Sequence, residues 1–567
     1  MAPAYSLALT LAVTAPLLGP GYLLLRDAVS TPRSYLSDAA LGLTQAAPRA
    51  LPQDFFVALA SSLVDGGVVV KALLILGLWL AGWGAARLVA AVLPDAGVAG
   101  QCVAVTIAIW NPYVAERLLQ GHWSLLVGYG CLPWVAATVL SLRGWPERRL
   151  PGVASLVFWL ALAGLTPTGL MLAAAIALVC ALAAGAGRPR WWCAGVSLAA
   201  SATAALPWLV ASALATGWAA DQKAGVAAFA ARAEPGLGTL GSLASLGGIW
   251  NAEAVPASRT TLFAIVSAAV LLGVVAVGVP LLIRRRAAVP LLVVAAAAVV
   301  LPALMATGPG LTVVEAVIDA VPGLGVLRDG QKWVALAMPA YALSGAATVV
   351  TLRPRVPALA TAAVCCAALI ATLPDLAWGV GGRVAPVHYP EGWDATAAII
   401  NADPAPVAVL PVDSMRQFRW AGEAPVLDPL PRWVRADVLS TGDLTIAGTT
   451  VPGDGSRARE IQQMLVSGAG RDELAAAGVG WVVIENPENG QAPALTLPVA
   501  FRDVDLTVYD VGGDAPPASH RAVMIAAHAV WLAQLLLGLV AMTAGRLRSN
   551  QADRRKQDVH GPQGGDE

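Results

Sequence analysis

The first charged side chains in the chain are Arg26 and Asp27. They close an uncharged run, Tyr5 to Leu25, and open a polar connection that lasts until the next apolar run begins near Gly67. A helix ending there delivers a carboxylate to a membrane surface, under a connection long enough to form a lid. Such a carboxylate can act as general base toward a hydroxyl nucleophile. It can also hold a divalent cation, Mg²⁺ or Mn²⁺, together with a phosphate. The competing reading of Arg26 and Asp27 is a charge pair that sets the depth of the helix.

Three more charged groups stand at the ends of apolar runs. Asn111, Pro112 and Tyr113 lead through Glu116 and Arg117 to Gly121, His122 and Trp123. Arg328, Asp329, Gly330, Gln331 and Lys332 lead into Trp333. Asp221, Lys223 and Arg232 form a weaker set. Charges at membrane depth are expensive, so they tend to be paired, cavity-facing or functional. Arg328 and Lys332 are four residues apart and share a face if the stretch is helical. Two cations so placed can bind the oxygens of a monophosphate or diphosphate. The bland alternative is anchoring beside Trp333, with long side chains snorkelling to water. His122 can donate to a phosphate or a hydroxyl, or simply cap a helix. Glu116 and Arg117 can pair with each other or with another connection.

The elements that position these residues are read from composition. The chain has 567 residues, 57% hydrophobic and 13% charged, with a mean hydropathy of +0.67. No soluble domain needs that apolar excess. Twelve apolar segments, at about 5–25, 67–92, 97–112, 123–142, 151–166, 168–186, 192–213, 261–283, 287–306, 333–352, 356–373 and 521–545, predict a polytopic α-helical membrane protein of about twelve spans. The fifth and sixth meet at Thr166, Pro167, Thr168 and Gly169, which predicts a tight turn or a kink. The first lacks a basic flank and a small-residue cleavage site, so it is expected to remain as a helix. Formal net charge is zero, so no basic field points to nucleic acid.

Alternate connections carry the basic residues: Arg87; Arg143, Arg148 and Arg149; Arg188 and Arg190; Arg284 to Arg286; Arg353 and Arg355; and Arg546, Arg548, Arg554, Arg555 and Lys556 in the tail. The positive-inside rule puts them all in the cytoplasm together with both termini. The long connections 26–66, 112–122, 214–260, 307–332 and 374–520 are then extracytoplasmic. The expected organisation is a catalytic-type bundle over 1–373 with a first outer loop at 26–66. An α/β domain over 374–520, a last span over 521–545 and a basic, polar, disordered cytoplasmic tail over 546–567 complete it. Within 374–520, Val407–Val412, Gly480–Glu485 and Leu506–Val511 read as strands, and Arg457–Val466 and Arg471–Ala477 as helices. Pro52 to Asp65 reads as a short helix, lying in the interface or packed on the bundle. No internal repeat is evident.

Cys102, Cys131, Cys180, Cys193, Cys365 and Cys366 all lie in or beside apolar runs and read as small buried hydrophobes. None makes a ligand spacing with a histidine, so no structural metal site is expected. Several tryptophans fall in the long connections: Trp218, Trp250, Trp378, Trp393, Trp420 and Trp433. Interface anchoring explains them better than stacking on sugars.

The layout resembles the type C superfamily of integral membrane glycosyltransferases, which use polyprenyl-phosphate-linked sugars. Those proteins place an acid in the first extracytoplasmic loop, where Arg26 and Asp27 stand here. The stretch from Trp110 to Trp134 (WNPYVAERLLQGHWSLLVGYGCLPW) and that from Pro322 to Trp333 (PGLGVLRDGQKW) are similar to segments of bacterial members. Many members pair two acids; here the next outer acids, Asp38 and Asp54, stand apart from Asp27. The nearest functional company is the arabinofuranosyl- and mannosyltransferases of the actinobacterial cell envelope. The resemblance implies transfer of a sugar from a polyprenyl-phosphate donor to an envelope glycan or lipid acceptor, with the bilayer as a further partner. It implies Asp27 as catalytic base, and Arg26, His122, Arg328, Lys332, Glu116 and Arg117 as substrate or phosphate ligands. A lipid or glycan transporter and a non-catalytic assembly protein are the rival readings. Charges in a central cavity would favour transport; wide separation of Asp27, Arg328 and Lys332 would favour assembly.

Overall fold

The computed structural model describes all residues except 45–49, 145–151, 216–224, 322, 412, 447–448, 487–494, 517 and 560–567. Arg148, Arg149, Trp218, Asp221, Lys223 and Pro322, all singled out in the sequence, lie outside the described residues.

The chain is a mostly helical membrane protein with a small sheet-containing region. Among the described residues, six helical stretches are long and apolar enough to cross a membrane: Gly66–Val92, Pro94–Leu119, Trp123–Gly144, Phe263–Ile283, Gly330–Leu352 and Arg521–Gly545. Three bent pairs raise the number to as many as nine: Arg190–Ala204 with Leu206–Leu214, Val289–Met305 with Gly308–Ala320, and Ala358–Ala371 with Pro374–Gly381. Three shorter apolar helices, Ala2–Leu18, Gly152–Ala163 and Pro167–Ala181, complete the bundle.

Small residues let the central helices touch backbone to backbone, as helices in lipid require. A Cβ on Gly130 would overlap the carbonyl of Gly77, so Gly66–Val92 and Trp123–Gly144 pack without intervening side chains. Trp79, Trp83, Trp134 and Trp159 touch ring to ring in series beside that seam, Trp83 edge-on to Trp134. Asn111 splices the helices on either side of it. Its amide donates to the Ile107 carbonyl at 2.8 Å, and its oxygen accepts from Val114 N at 3.1 Å to cap Pro112–Leu119.

A five-stranded sheet has the order Val499–Arg502, Leu506–Asp510, Trp481–Glu485, Val407–Leu410, Val438–Leu439. Val407–Leu410 runs parallel to both of its neighbours; the other pairings are antiparallel. Alternate strand residues face two layers, as a period of two requires. Val407, Val409, Val483 and Val508 pack with Trp393, Phe418 and Trp433 on one side. Ala408, Leu410, Val482 and Ile484 pack under Ile461, Leu465 and Leu474 on the other. The first layer also takes in Leu24 and Val29, from either side of Asp27. The start of the chain is thus part of this core, a relationship the sequence does not announce.

One open alternative is decided and one boundary moves. Gln53–Ala60 is a helix packed on the bundle, with Phe55 against His528 and Phe56 edge-on to Trp531. The last helix runs from Arg521 to Val559, past the expected end at 545 into the predicted disordered tail. Ala, Arg, Gln and Lys there are all good helix formers, which polarity alone does not reveal.

Candidate active site

Asp27 sits at the tip of a hairpin. Leu24–Leu25 pairs antiparallel with Ala28–Val29, leaving Arg26 and Asp27 as the turn. Lys71 fixes the approach: its ammonium donates to the carbonyls of Gly19 and Gly21 at 2.8 and 2.9 Å. Arg26 has a left-handed backbone, φ +49°, which a non-glycine residue adopts only when its surroundings enforce it. The enforcement is visible on both sides. Arg26 N donates to the Pro425 carbonyl at 2.9 Å, and Leu427 N donates to the Arg26 carbonyl at 2.8 Å. Asp27 N donates to the Gln120 carbonyl at 3.2 Å. The tip is clamped between the sheet region and the turn that starts Trp123–Gly144.

That turn brings His122 to Asp27. His122 Nε2 lies 3.0 Å from Asp27 Oδ2, and the Gln120 amide donates to the same oxygen at 2.9 Å. Among the described residues, Asp27 Oδ1 has no hydrogen-bond partner, and 37% of the side-chain surface of Asp27 stays open. Arg117 Nη1 meets His122 Nδ1 at 3.1 Å. A guanidinium only donates, so Nδ1 accepts and the imidazole proton sits on Nε2, pointing at Asp27.

Arg117 in turn grips Asp329, Nη1 to Oδ2 at 2.9 Å and Nη2 to Oδ1 at 3.1 Å. Lys332 Nζ stands 3.6 Å from Asp329 Oδ2. Behind Arg117 the network is buried and structural. Arg117 also bonds Gln331. Glu116 accepts from Gly248 N, Ile249 N and the Gln331 amide at 3.1, 3.2 and 2.8 Å.

Burial on its own would raise the Asp27 pKa. The hydrogen bond and charge of His122, the Gln120 amide and the Lys332 charge outweigh it and hold the carboxyl below its ordinary value. Burial is the largest influence on His122 and, with the charges of Arg117 and Lys332, lowers its pKa despite the hydrogen bond and charge of Asp27. For Asp329 burial is likewise overcome by Arg117 first and Lys332 second, which hold its carboxyl far below the usual range. The site at neutral pH is therefore an ionised Asp27, a neutral His122 and the two cations Arg117 and Lys332. A divalent cation does not suit this donor set. Both oxygens of Asp329 are taken by cations, and Asp27 offers one open oxygen, whereas Mg²⁺ and Mn²⁺ ask for a shell of oxygen ligands.

The structure brings together Asp27, His122, Arg117 and Lys332 of the residues singled out by sequence. It does not bring Arg328 there. The chain turns at Asp329, φ −83° and ψ 81°, between the short helices Leu324–Leu327 and Gly330–Ala337, so Arg328 and Lys332 share no face. Arg328 lies with its Cζ 5.3 Å over the Phe229 ring, in a cleft lined by Val226, Pro302, Leu311 and Val314. Arg26 is buried, its guanidinium donating to the Leu119 carbonyl at 2.7 Å and facing Glu253 at 3.4 Å. It braces the hairpin and presents no donor beside Asp27's open oxygen. Glu116 is buried behind Arg117 and is likewise a brace. Arg232 enters through its backbone, donating to the Gly248 carbonyl at 3.0 Å.

The sequence assigns no role to Gln120, or to Asp329 and Gln331 within the charged stretch that leads into Trp333. Asp329 had a signal: it is the lone acid in a cationic stretch at a helix start, and a buried cation needs such a partner.

No family model matches the chain, and no curated protein matches it. Solved structures do resemble it, two of them as follows. Those two are classes of one mutant of arabinofuranosyltransferase AftD from Mycobacteria. The first has 18% sequence identity and a TM-score of 0.46, the second 17% and 0.48. Each similarity covers 90% of this chain and 41% of that chain, so this chain spans less than half the length of the protein it resembles.

Proposed function

We propose that this chain is an integral membrane glycosyltransferase. It moves a sugar from a polyprenyl-phosphate donor to a hydroxyl of an envelope glycan or lipid. The observation that carries the reading is the Asp27 carboxylate: one oxygen is pinned by His122 and Gln120, the other is open, and Lys332 stands nearby.

In the proposed reaction the acceptor oxygen bonds to the anomeric carbon as the bond from that carbon to the donor phosphate breaks. The acceptor hydroxyl donates to Asp27 Oδ1. With its lowered pKa, Asp27 is a weak base that is ionised at neutral pH, so it takes the proton late, once the new C–O bond has made the hydroxyl acidic. The departing phosphate carries away the electron pair of the broken bond. Lys332, with the charge of Arg117 behind it, stabilises that growing negative charge. His122 and Gln120 keep Asp27 aimed. Arg328 and its apolar cleft are assigned to the lipid side of the donor.

The same reading takes each of the six spans, three bent pairs and three shorter helices as one crossing, twelve in all. The basic connections and both termini lie in the cytoplasm, and Asp27 and the sheet region lie outside. Charges gathered at helix ends support a reaction at a membrane surface rather than transport through the midplane. The deciding experiment is transfer by purified protein from a panel of polyprenyl-phosphate sugars. Wild type is expected to transfer and Asp27→Asn to fail while still folding. Equal activity in Asp27→Asn would remove the mechanism.

A further inference from the structure

The strand that clamps the Asp27 hairpin is tied to a set of buried charges that does not balance. Met415–Arg416 pairs antiparallel with Val426–Leu427, and Pro425 and Leu427 are the residues that hold Arg26 through the backbone. Arg416 donates through Nε to Glu485 Oε2, and through Nη2 to Asp428 Oδ2 at 3.4 Å. All three side chains are buried. One guanidinium thus faces two carboxylates, and the charge of the half-buried Asp413 reaches the same guanidinium. Among the described residues, Glu485 Oε1 is buried without a hydrogen-bond partner, yet the Asp428 carboxyl lies within hydrogen-bond reach of Glu485. We propose that Glu485 holds a proton on Oε1 and shares it with Asp428, and that this proton positions the strand that grips the Asp27 hairpin.

A buried oxygen with no donor forfeits a hydrogen bond that water would supply. Two carboxylates in contact repel each other unless one takes a proton. A proton on Glu485 Oε1 answers both: Glu485 becomes a donor to Asp428, and one negative charge is left for Arg416. Burial first and the Asp428 charge second push the Glu485 carboxyl up to about 8, against the pull of Arg416. The strands on either side bring no further charge: Leu506 stands opposite Glu485, and Leu410 is paired with the preceding Ile484. Asp428 transmits the state of that proton to the clamp. Its Oδ1 accepts from Leu430 N at 2.8 Å and its own N donates to the Ser414 carbonyl at 3.1 Å. It directly follows Leu427, whose N donates to the Arg26 carbonyl. Loss of the proton to solvent sets two buried carboxylates against each other and strains that connection. Glu485 is therefore a positioning residue. Its folded value is raised, so the stability it contributes is full below the unfolded carboxyl value and drains away as pH rises to about 8. Only the consequence for transfer rests on the transferase reading above.

The test is hydrogen–deuterium exchange of the full chain in lipid nanodiscs, read at the Arg26 and Leu427 amides, with infrared spectra of the same samples. The ionised share of Glu485 rises about tenfold between about pH 7 and about pH 9. Over that interval, exchange at the two amides is expected to rise about tenfold more in wild type than in Glu485→Gln, a comparison that cancels the intrinsic effect of pH. The Gln amide donates where the shared proton does, so the variant keeps the clamp closed. The carbonyl band of a protonated carboxyl is expected to weaken in wild type as pH rises, and to be weaker in Glu485→Gln at neutral pH. Asp428→Asn removes the repulsion and is expected to lose the same exchange response, which keeps the test open if Glu485→Gln does not fold. Equal exchange responses in wild type and both variants, or a carboxyl band that neither pH nor Glu485→Gln weakens, would each overturn the proposal. The expected exchange and infrared responses in a protein showing no transfer would keep the proton and discard the reaction, so the two readings fail separately.

Discussion

His122 holds Asp27 through Nε2 at 3.0 Å, and it does so as a neutral imidazole because Arg117 occupies Nδ1. Protonating His122 would put a proton on Nδ1, facing a guanidinium. The histidine is thus a fixed donor to the carboxylate and not a proton acceptor in competition with it.

This sets the pH dependence. Both Asp27 and His122 have folded pKa values below their ordinary ones. Their contribution is complete above the unfolded values and lost as pH falls through the folded ones. The transfer rate is therefore expected to stay level as pH falls through about 6.5, the ordinary histidine value, and to decline only below it. A pH–rate profile whose acid limb lies at or above that value would contradict the assignment.

The buried pair Arg117–Asp329 predicts an asymmetry in stability. Arg117→Ala leaves the Asp329 charge buried without its main partner and should cost about 3–5 kcal/mol. Lys332→Ala removes a cation with a quarter of its side-chain surface open and should cost well under about 1 kcal/mol. Thermal unfolding of the two variants in one detergent checks the order. Because the Asp329 pKa is depressed, its share of stability is full above about 3.9 and drains away as pH falls below it.

Lys332 and Arg328 are predicted to separate in kinetics. Lys332→Ala should lower kcat by about ten- to a hundredfold, as loss of charge stabilisation at the leaving group does. Arg328→Ala should leave kcat nearly unchanged and raise KM for the lipid donor. Equal kcat losses in both would argue that the two cations act together after all.

Gly121 supplies a steric test. Its φ is +82°, and a Cβ there would overlap Leu25 O and Ala28 N of the hairpin. Gly121→Ala should push Asp27 away from His122 and reduce transfer by about a hundredfold with every polar group still present. Activity like wild type would mean that the hairpin tolerates displacement and that the clamp is not needed.

The class of protein is legible in the residues alone. Apolar runs, basic connections and strand-like segments are local properties, additive along the chain, and a membrane or a sheet reads them directly. The sequence also singled out Asp27, His122, Arg117 and Lys332, because a charge beside an apolar run is conspicuous wherever the chain goes. Which charges meet is set by the folded chain. Arg117 and Asp329 are 212 residues apart in sequence, and a turn at Asp329 sends Lys332 toward the acid and Arg328 away from it. Partnership is a property of contact, and a backbone torsion at one residue redirects a side chain by many ångströms. No periodicity in the residues around Arg328 records that turn, just as none records that Leu24 and Val29 belong to the core of a sheet built some four hundred residues later.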